Sequence, residues 1–403
     1  MNPARLFTAS RVALAVTAMS FALRGAAGAD WVMQFHLSRE QVGWVDGTAF
    51  WGFALAMLFG GPLCDALGLG RILAVAFAGH LIGILLTLFA WNFWSLYVGT
   101  LVFGIANGSV EAACNPLIAT LYPEDRTTRL NQFHAWWPGG IVIGGLLAYA
   151  LSAAGFGWKL QFATMLVPLA IYGALLLGQE FPRTERVQKG VSTSQMFGAC
   201  LNPWFLLMVA AMVLTASTEL GPGQWIPNIL THAGVPGVLV LAWISGLMAV
   251  GRQYAGLFVH RLSPLGMLLS GAILSGLGLY AMSHASGGAL FAAATVFALG
   301  VCFFWPTMLG YVSDHFPKTG ALGLAIMGGV GTLSVSFALP LIGRIYDRAI
   351  AVQVAAGQAA DSPAVEAAAG LHALGRVAIL PAILVVVFLG VALLRRGHRE
   401  VLV

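Results

Sequence analysis

Long apolar stretches separated by short polar breaks recur along all 403 residues, at about 10–31, 41–66, 71–92, 94–121, 131–154, 160–179, 203–228, 236–259, 264–284, 288–312, 320–344 and 371–395. A helix of about 20 residues spans the hydrocarbon of a bilayer. The pattern predicts an all-α polytopic membrane protein with twelve transmembrane helices. The most polar stretch, QEFPRTERVQKGVSTSQ, follows the sixth segment. It divides the chain into a six-helix bundle over 1–179, a cytoplasmic linker over 180–202 and a second six-helix bundle over 203–403. The Ala-rich stretch 349–370 reads as a flexible loop or a short surface helix. Residues Met1 to Asp30 have the outline of a signal peptide, but the apolar stretch is long and contains Arg24, so they read as the first spanning helix.

The two halves repeat. Asp30 and Glu219 lie 189 residues apart, as do Gly139-Gly140 and Gly328-Gly329, and Pro116 and Pro306 differ by 190. A parallel repeat of six helices implies pseudo-symmetric bundles that rock about a site near mid-membrane.

Composition agrees with the pattern. Charged residues make up 9% of the chain against 59% hydrophobic, where soluble domains carry about 25% charged. The net charge of +5 is spread singly over short loops, so it is a topology signal and not a nucleic-acid surface. With the N-terminus inside, fourteen basic residues fall on the inner side: Arg5, Arg11, Arg71, Arg126, Arg129, Arg183, Arg186, Lys189, Arg252, Arg261, Lys318, Arg395, Arg396 and Arg399. Five, Arg39, Lys159, Arg344, Arg348 and Arg376, fall outside. Both termini are therefore expected in the cytoplasm and the protein in a bacterial-type inner (plasma) membrane. Cys64, Cys114, Cys200 and Cys302 have neither metal-ligand nor disulfide spacing and read as packing residues.

Candidate chemistry centres on EAACNPLIATLYPEDRTTRLNQFHAWWPGGIVIGG, residues 111–145. A carboxylate in the fourth apolar segment costs about 2.5–3.5 kcal/mol to insert, so Glu111 is expected to face a cavity. The alternative is that it hydrogen-bonds a neighbouring helix and only holds the bundle. Asn115 lies one turn along on the same face, and Trp136 and Trp137 offer flat walls with N–H donors, a surface suited to a polyhydroxylated ring. His134 reads as a loop hydrogen-bonding residue, with titration alongside the carboxylates as the alternative. Arg24, near mid-membrane, reads either as the ion partner of Glu111 or Glu219 or as a substrate contact. Gln224, Trp225 and Asn228 follow Glu219 around the outer end of the seventh segment; they close over a ligand or form an interfacial belt. Trp305, in the cluster Phe303, Phe304 and Trp305, either packs or lines the cavity. Arg252 reads as a gate residue.

Two loop stretches carry a family resemblance: GPLCDALGLGR at 61–71 and GLFVHRLSPLG at 256–266. They look like the two copies of the major facilitator superfamily loop motif, which implies a gating latch of Asp65 and Arg71 on the inner face. Ala66 stands where a basic residue is common, and His260 takes the acidic position of the second copy. Within the superfamily, Asp30, EAACNP with Glu111, RLN at 129–131 and Gly251-Arg252 before Gly256 resemble the fucose:proton symporter family, which includes fucose and glucose/galactose permeases. That resemblance implies proton coupling and sugar binding at Asp30 and Glu111.

No GxxxxGK[ST], HExxH or GxSxG is present, which argues against a nucleotide-driven pump and against an enzyme. The expected function is secondary active transport: proton-coupled uptake of a hexose or deoxyhexose by alternating access, with no cofactor and no bound metal. Burial disfavours the charged form of a carboxyl, which lets such groups load and release protons. Sodium is the alternative coupling ion. An organic-anion or sugar-acid symporter with Arg24 as clamp, a multidrug exporter and a non-transporting nutrient receptor are the rival readings. The expected partners are a small-molecule sugar and the lipid bilayer, with no nucleic acid, and the functional unit is a monomer.

Overall fold

The structure is a computed structural model that describes residues 1–37, 39–188, 190–235, 237–359 and 362–397. Lys189, Arg399 and the side chains of Arg39, Arg186, Asn228, Arg395 and Arg396 lie outside the described residues. Every regular element described is helical. Helices α1 (Pro3–Phe35), α2 (Arg39–Leu67), α3 (Leu69–Leu88) and α4 (Phe93–Leu121) are followed by α5 (Arg126–His134), α6 (Trp136–Ala153), α7 (Trp158–Ala163) and α8 (Leu166–Leu176). The polar linker holds α9 (Glu185–Gln188) and α10 (Thr193–Cys200). Then come α11 (Pro203–His232), α12 (Gly237–Gln253), α13 (Gly256–Met282), α14 (Ala289–Val301), α15 (Phe304–His315), a 3-10 turn (Pro317–Thr319), α16 (Gly320–Ala355), α17 (Pro363–Val377) and α18 (Ile379–Gly397). Eleven helical stretches among the described residues have the length and composition to cross a membrane, and Leu239–Gln253 is a shorter apolar helix. Together they account for the twelve predicted segments.

Four of those segments are broken once beside a proline, and each of these breaks has the same cause. Pro138, Pro168, Pro306 and Pro381 lack the N–H that would bond the carbonyl four residues earlier, and their rings crowd it. The helix stops beside that carbonyl, at Ala135, at 164–165, at 302–303 and at Ala378. It resumes with the proline as the third residue of the new helix, in the first turn, where no donor is needed. Pro116 leaves α4 continuous, and the carbonyl it frees, that of Ala112, accepts from the Cys64 thiol at 3.4 Å. In the second half the carbonyl freed by Pro306, that of Cys302, accepts from Arg252 Nε at 2.5 Å. Repeated prolines thus leave equivalent acceptors, filled by a thiol in one copy and a guanidinium in the other.

Two expectations change. Residues 256–266 are not a loop: α13 runs through them, and only Ser263 leaves the helical region, at φ 60° and ψ 161°. Pro264 disfavours helical geometry at the residue before it, and the Ser263 hydroxyl accepts from the Gly266 amide at 3.3 Å, capping the resumed helix. The Ala-rich stretch 349–370 is mainly the end of α16 and the start of α17.

The chain forms two compact units, residues 1–206 with 312–332, and 207–311 with 333–403. In the first, α4 packs on α2 and α3, and α1 packs on α6 and α8. In the second, α13 packs on α14 and α18, and α12 on α14. Glycines make these crossings close. A methyl group at Gly108 would collide with the Phe53 carbonyl and lie 2.8 Å from Ala56, and one at Gly300 would collide with the Ser275 backbone. Gly108→Ala and Gly300→Ala are expected to destabilise the protein by about 1–3 kcal/mol through overpacking. Gly145→Ala, with open space at its Cβ, serves as the control. Thermal unfolding in detergent checks this; equal midpoints for all three would refute the close-packing account.

Candidate functional site

Glu111, Asn115 and His134 form a closed triangle in the first unit. All three are at most 2% exposed. Asn115 sits one turn after Glu111 on α4, and its Nδ2 donates to Glu111 Oε2 at 3.1 Å. That leaves Asn115 Oδ1 toward His134 Nε2 at 3.0 Å, so Nε2 is the nitrogen that carries a hydrogen. His134 Nδ1 lies 3.9 Å from Glu111 Oε1. His134 is placed there because α5 ends at it, where Pro138 interrupts the helix. The sequence reading left it with the loop; the structure puts it on the acid.

Beside the triangle stands an aromatic wall. Trp137 packs on the buried cluster of Phe53, Met57 and Ala112, and its ring lies 5.1 Å from Phe21 and 6.2 Å from Phe53. Trp136 is half-buried. One turn before Glu111, Asn107 belongs to a second buried network. Its Oδ1 accepts from His80 Nε2 at 2.9 Å, its Nδ2 donates to Ser20 Oγ at 3.1 Å, and His80 Nδ1 meets the Tyr172 hydroxyl at 2.9 Å. The accepting Oδ1 fixes the hydrogen on Nε2, so the Tyr172 hydroxyl donates to Nδ1. This network ties α1, α3 and α8 to α4 and holds the face that carries Glu111. Its signals in the sequence were a histidine in the third apolar segment and an asparagine in the fourth.

Arg24 is 3% exposed and is bound mainly by the start of α2. It donates to the Val45 carbonyl, to the Asp46 carbonyl and to Thr48 Oγ1, the last two at 3.1 Å, and its ion partner is Asp46 at 4.0 Å. Its Nη1 is buried without a hydrogen-bond partner among the described residues. Asp46 lies inside the second apolar segment, where an intramembrane acid was the available signal. Asp30 is half-buried and has no hydrogen bond or ion pair among the described residues. It lies two residues beyond the apolar span Pro3–Gly28.

In the second unit Glu219 and Arg252 are paired, with Arg252 Nη2 2.6 Å from Glu219 Oε1 and the guanidinium 1% exposed. The sequence reading offers Glu219 to Arg24 as an ion partner and sets Arg252 apart as a gate residue. Glu219 Oε2 and the buried Nε1 of Trp305 have no hydrogen-bond partner among the described residues, and neither has Trp225 Nε1. Trp225 lies edge-on to Tyr346 at 6.0 Å, and Gln224 is exposed.

No ion pair joins the predicted gating residues Asp65 and Arg71 among the described residues. Asp65 accepts from Thr184 Oγ1 at 2.5 Å, tying the linker to α2, while Arg71 is exposed at the start of α3. The ion pair nearby is formed by Arg126, which lies 3.5 Å from Asp314 and donates to the Ser313 carbonyl at 2.9 Å. Thr184 and Ser313 line one cavity with Thr120 and Phe316.

Comparison with known proteins agrees with this architecture. A D-xylose transporter of Levilactobacillus brevis is 30% identical over 153 residues, 37% of this chain and 33% of that protein, so the match spans a third of its length. A gallate transporter of Pseudomonas putida is 25% identical over 369 residues, covering 76% of this chain and 80% of that one. The fold is similar to that of the E. coli fucose:proton symporter FucP, with a TM-score of 0.70 and 16% identity over 94% of this chain and 98% of FucP. The model of the Major Facilitator Superfamily matches residues 12–339, and with twelve apolar helices in two repeated halves the chain belongs to that superfamily of membrane transporters.

Proposed function

We propose that the protein takes up a small hydroxylated ring compound of the sugar class together with protons, by alternating access, with Glu111 as the coupling acid. The observation that carries this reading is the triangle of Glu111, Asn115 and His134. It is a buried carboxyl within reach of a titratable imidazole, beside an aromatic wall of Trp137 and Phe21. A carboxyl can carry a proton, and it bonds sugar hydroxyls in either protonation state. The unpartnered Glu219 Oε2 and Trp305 Nε1 are a hydrogen-bond acceptor and donor of the kind that hydroxyl groups satisfy. The D-xylose relative and the likeness to FucP support the sugar class. Sodium in place of the proton is the variant of this reading, and the setting is an inner (plasma) membrane with both termini cytoplasmic.

One observation favours a second reading. Arg24 keeps a buried guanidinium nitrogen without a partner, and a carboxylate substrate is the natural acceptor for it; the gallate transporter is a relative of that kind. Uptake into proteoliposomes under an imposed pH or sodium gradient separates the two. Labelled xylose or fucose is expected to accumulate on the pH gradient, with little effect of Arg24→Gln beyond lower protein yield. Accumulation of gallate alone, abolished in Arg24→Gln, would replace the sugar reading.

A further inference from the structure

Two arginines meet where α1, α4 and α5 come together. The Arg11 guanidinium lies 4.1 Å from the centre of the Phe7 ring, and that of Arg129 lies 4.8 Å from the Tyr122 ring. Phe7 and Tyr122 themselves pack edge-on at 5.4 Å. Both guanidiniums are directed at one neutral acceptor, Gln132 Oε1, Arg11 Nη2 at 3.5 Å and Arg129 Nη1 at 3.3 Å. The carboxylate at hand is Asp125, 3.3 Å from Arg129 Nε and partly exposed. Arg11 has no ion partner among the described residues, and its Nε is buried without a hydrogen-bond partner.

The cluster therefore holds more positive charge than its own groups neutralise. The two guanidiniums repel each other, yet stacking on the rings holds their planar forks side by side. An oxyanion set between them would relieve that repulsion and accept from both forks at once. Its source follows from where the cluster stands. Tyr122 is the residue after the apolar span Phe93–Leu121, and Arg129 lies in the first turn of the span Arg126–Ala153. The cluster therefore stands at span ends, at the level of the lipid headgroups, where phosphate is the abundant oxyanion.

We propose that Arg11 and Arg129 form a binding site for the phosphate of an anionic membrane lipid. The site is separate from the transport reading and draws on none of its residues. Its chemistry is a phosphate oxyanion held by two forks, with the rings of Phe7 and Tyr122 as a platform.

The test is native mass spectrometry of the full chain, with phosphatidylglycerol, zwitterionic phosphatidylcholine or inorganic phosphate added to the detergent-solubilised protein. One phosphatidylglycerol per chain is expected to be retained in preference to phosphatidylcholine. Arg11→Gln and Arg129→Gln are each expected to weaken its binding about tenfold, the loss of one charge-assisted contact. Arg183→Gln, at an exposed position in the linker, should bind as the parent does. Arg11→Lys keeps the charge and loses the fork, so it also reports on the site if Arg11→Gln does not fold; its binding should be weakened too. Undiminished phosphatidylglycerol binding in the arginine variants, or equal retention of the two lipids by the parent, would overturn the site. Displacement of the lipid by inorganic phosphate at matched concentration would overturn the lipid as occupant and assign a free anion instead.

Discussion

Arg252→Met is expected to destabilise the protein by about 3–5 kcal/mol, the largest loss from any single substitution considered for this chain. The reason is what it leaves behind. Glu219 is 7% exposed, one of its oxygens already lacks a partner, and the other loses its ion partner at 2.6 Å. The Cys302 carbonyl, freed from its helix by Pro306, loses its donor as well. A buried pair is a poor source of net stability, but breaking one side of it strands the other charge. The double variant Arg252→Met with Glu219→Leu should therefore recover most of the loss, apart from the Cys302 carbonyl, which costs about 1–3 kcal/mol unpaired. Unfolding of the parent, both single variants and the double variant in detergent tests this. Additive losses, or a cost under about 1 kcal/mol for Arg252→Met, would show that the two groups are not coupled.

The reach of the sequence can be judged from these same residues. The twelve segments were legible because a bilayer imposes a length and an apolar composition on every span. The breaks inside four of them were legible in principle, since each is set by one proline acting on the carbonyl four residues back. Reading each apolar run as a single helix passed over them, and with them the placement of His134 at the end of α5. Partners were much less legible. Glu219 and Arg252 are 33 residues apart on different helices, and helix phase alone does not bring them together. Arg24 has many acids to choose from in sequence, and takes Asp46 because α1 and α2 cross there. The loop motif identified Asp65, but a side chain that bonds it is Thr184 of the linker, a residue with no charge to draw attention to it.

The other large effect is expected at Glu111. Glu111→Gln imitates the protonated carboxyl. It keeps an oxygen to accept from Asn115 Nδ2 and an amide to place toward His134, so the buried triangle should survive and the protein should fold. A neutral hydroxylated substrate should still bind and exchange across the membrane, because hydrogen bonding to the side chain remains. Accumulation driven by a pH gradient should fall to the level of passive exchange, because no proton can be released from an amide. Glu111→Ala should do more. It strips Asn115 and His134 of their shared partner and removes the group proposed to bond the substrate, an expected loss of about 1–3 kcal/mol in binding. Asp30→Asn divides the roles. Asp30 has no hydrogen bond or ion pair among the described residues, so its loss should leave stability near the parent and report on coupling alone. If Asp30→Asn abolishes proton-driven accumulation while Glu111→Gln still concentrates substrate at the parent rate, Glu111 is a ligand for the substrate and the coupling proton travels on Asp30.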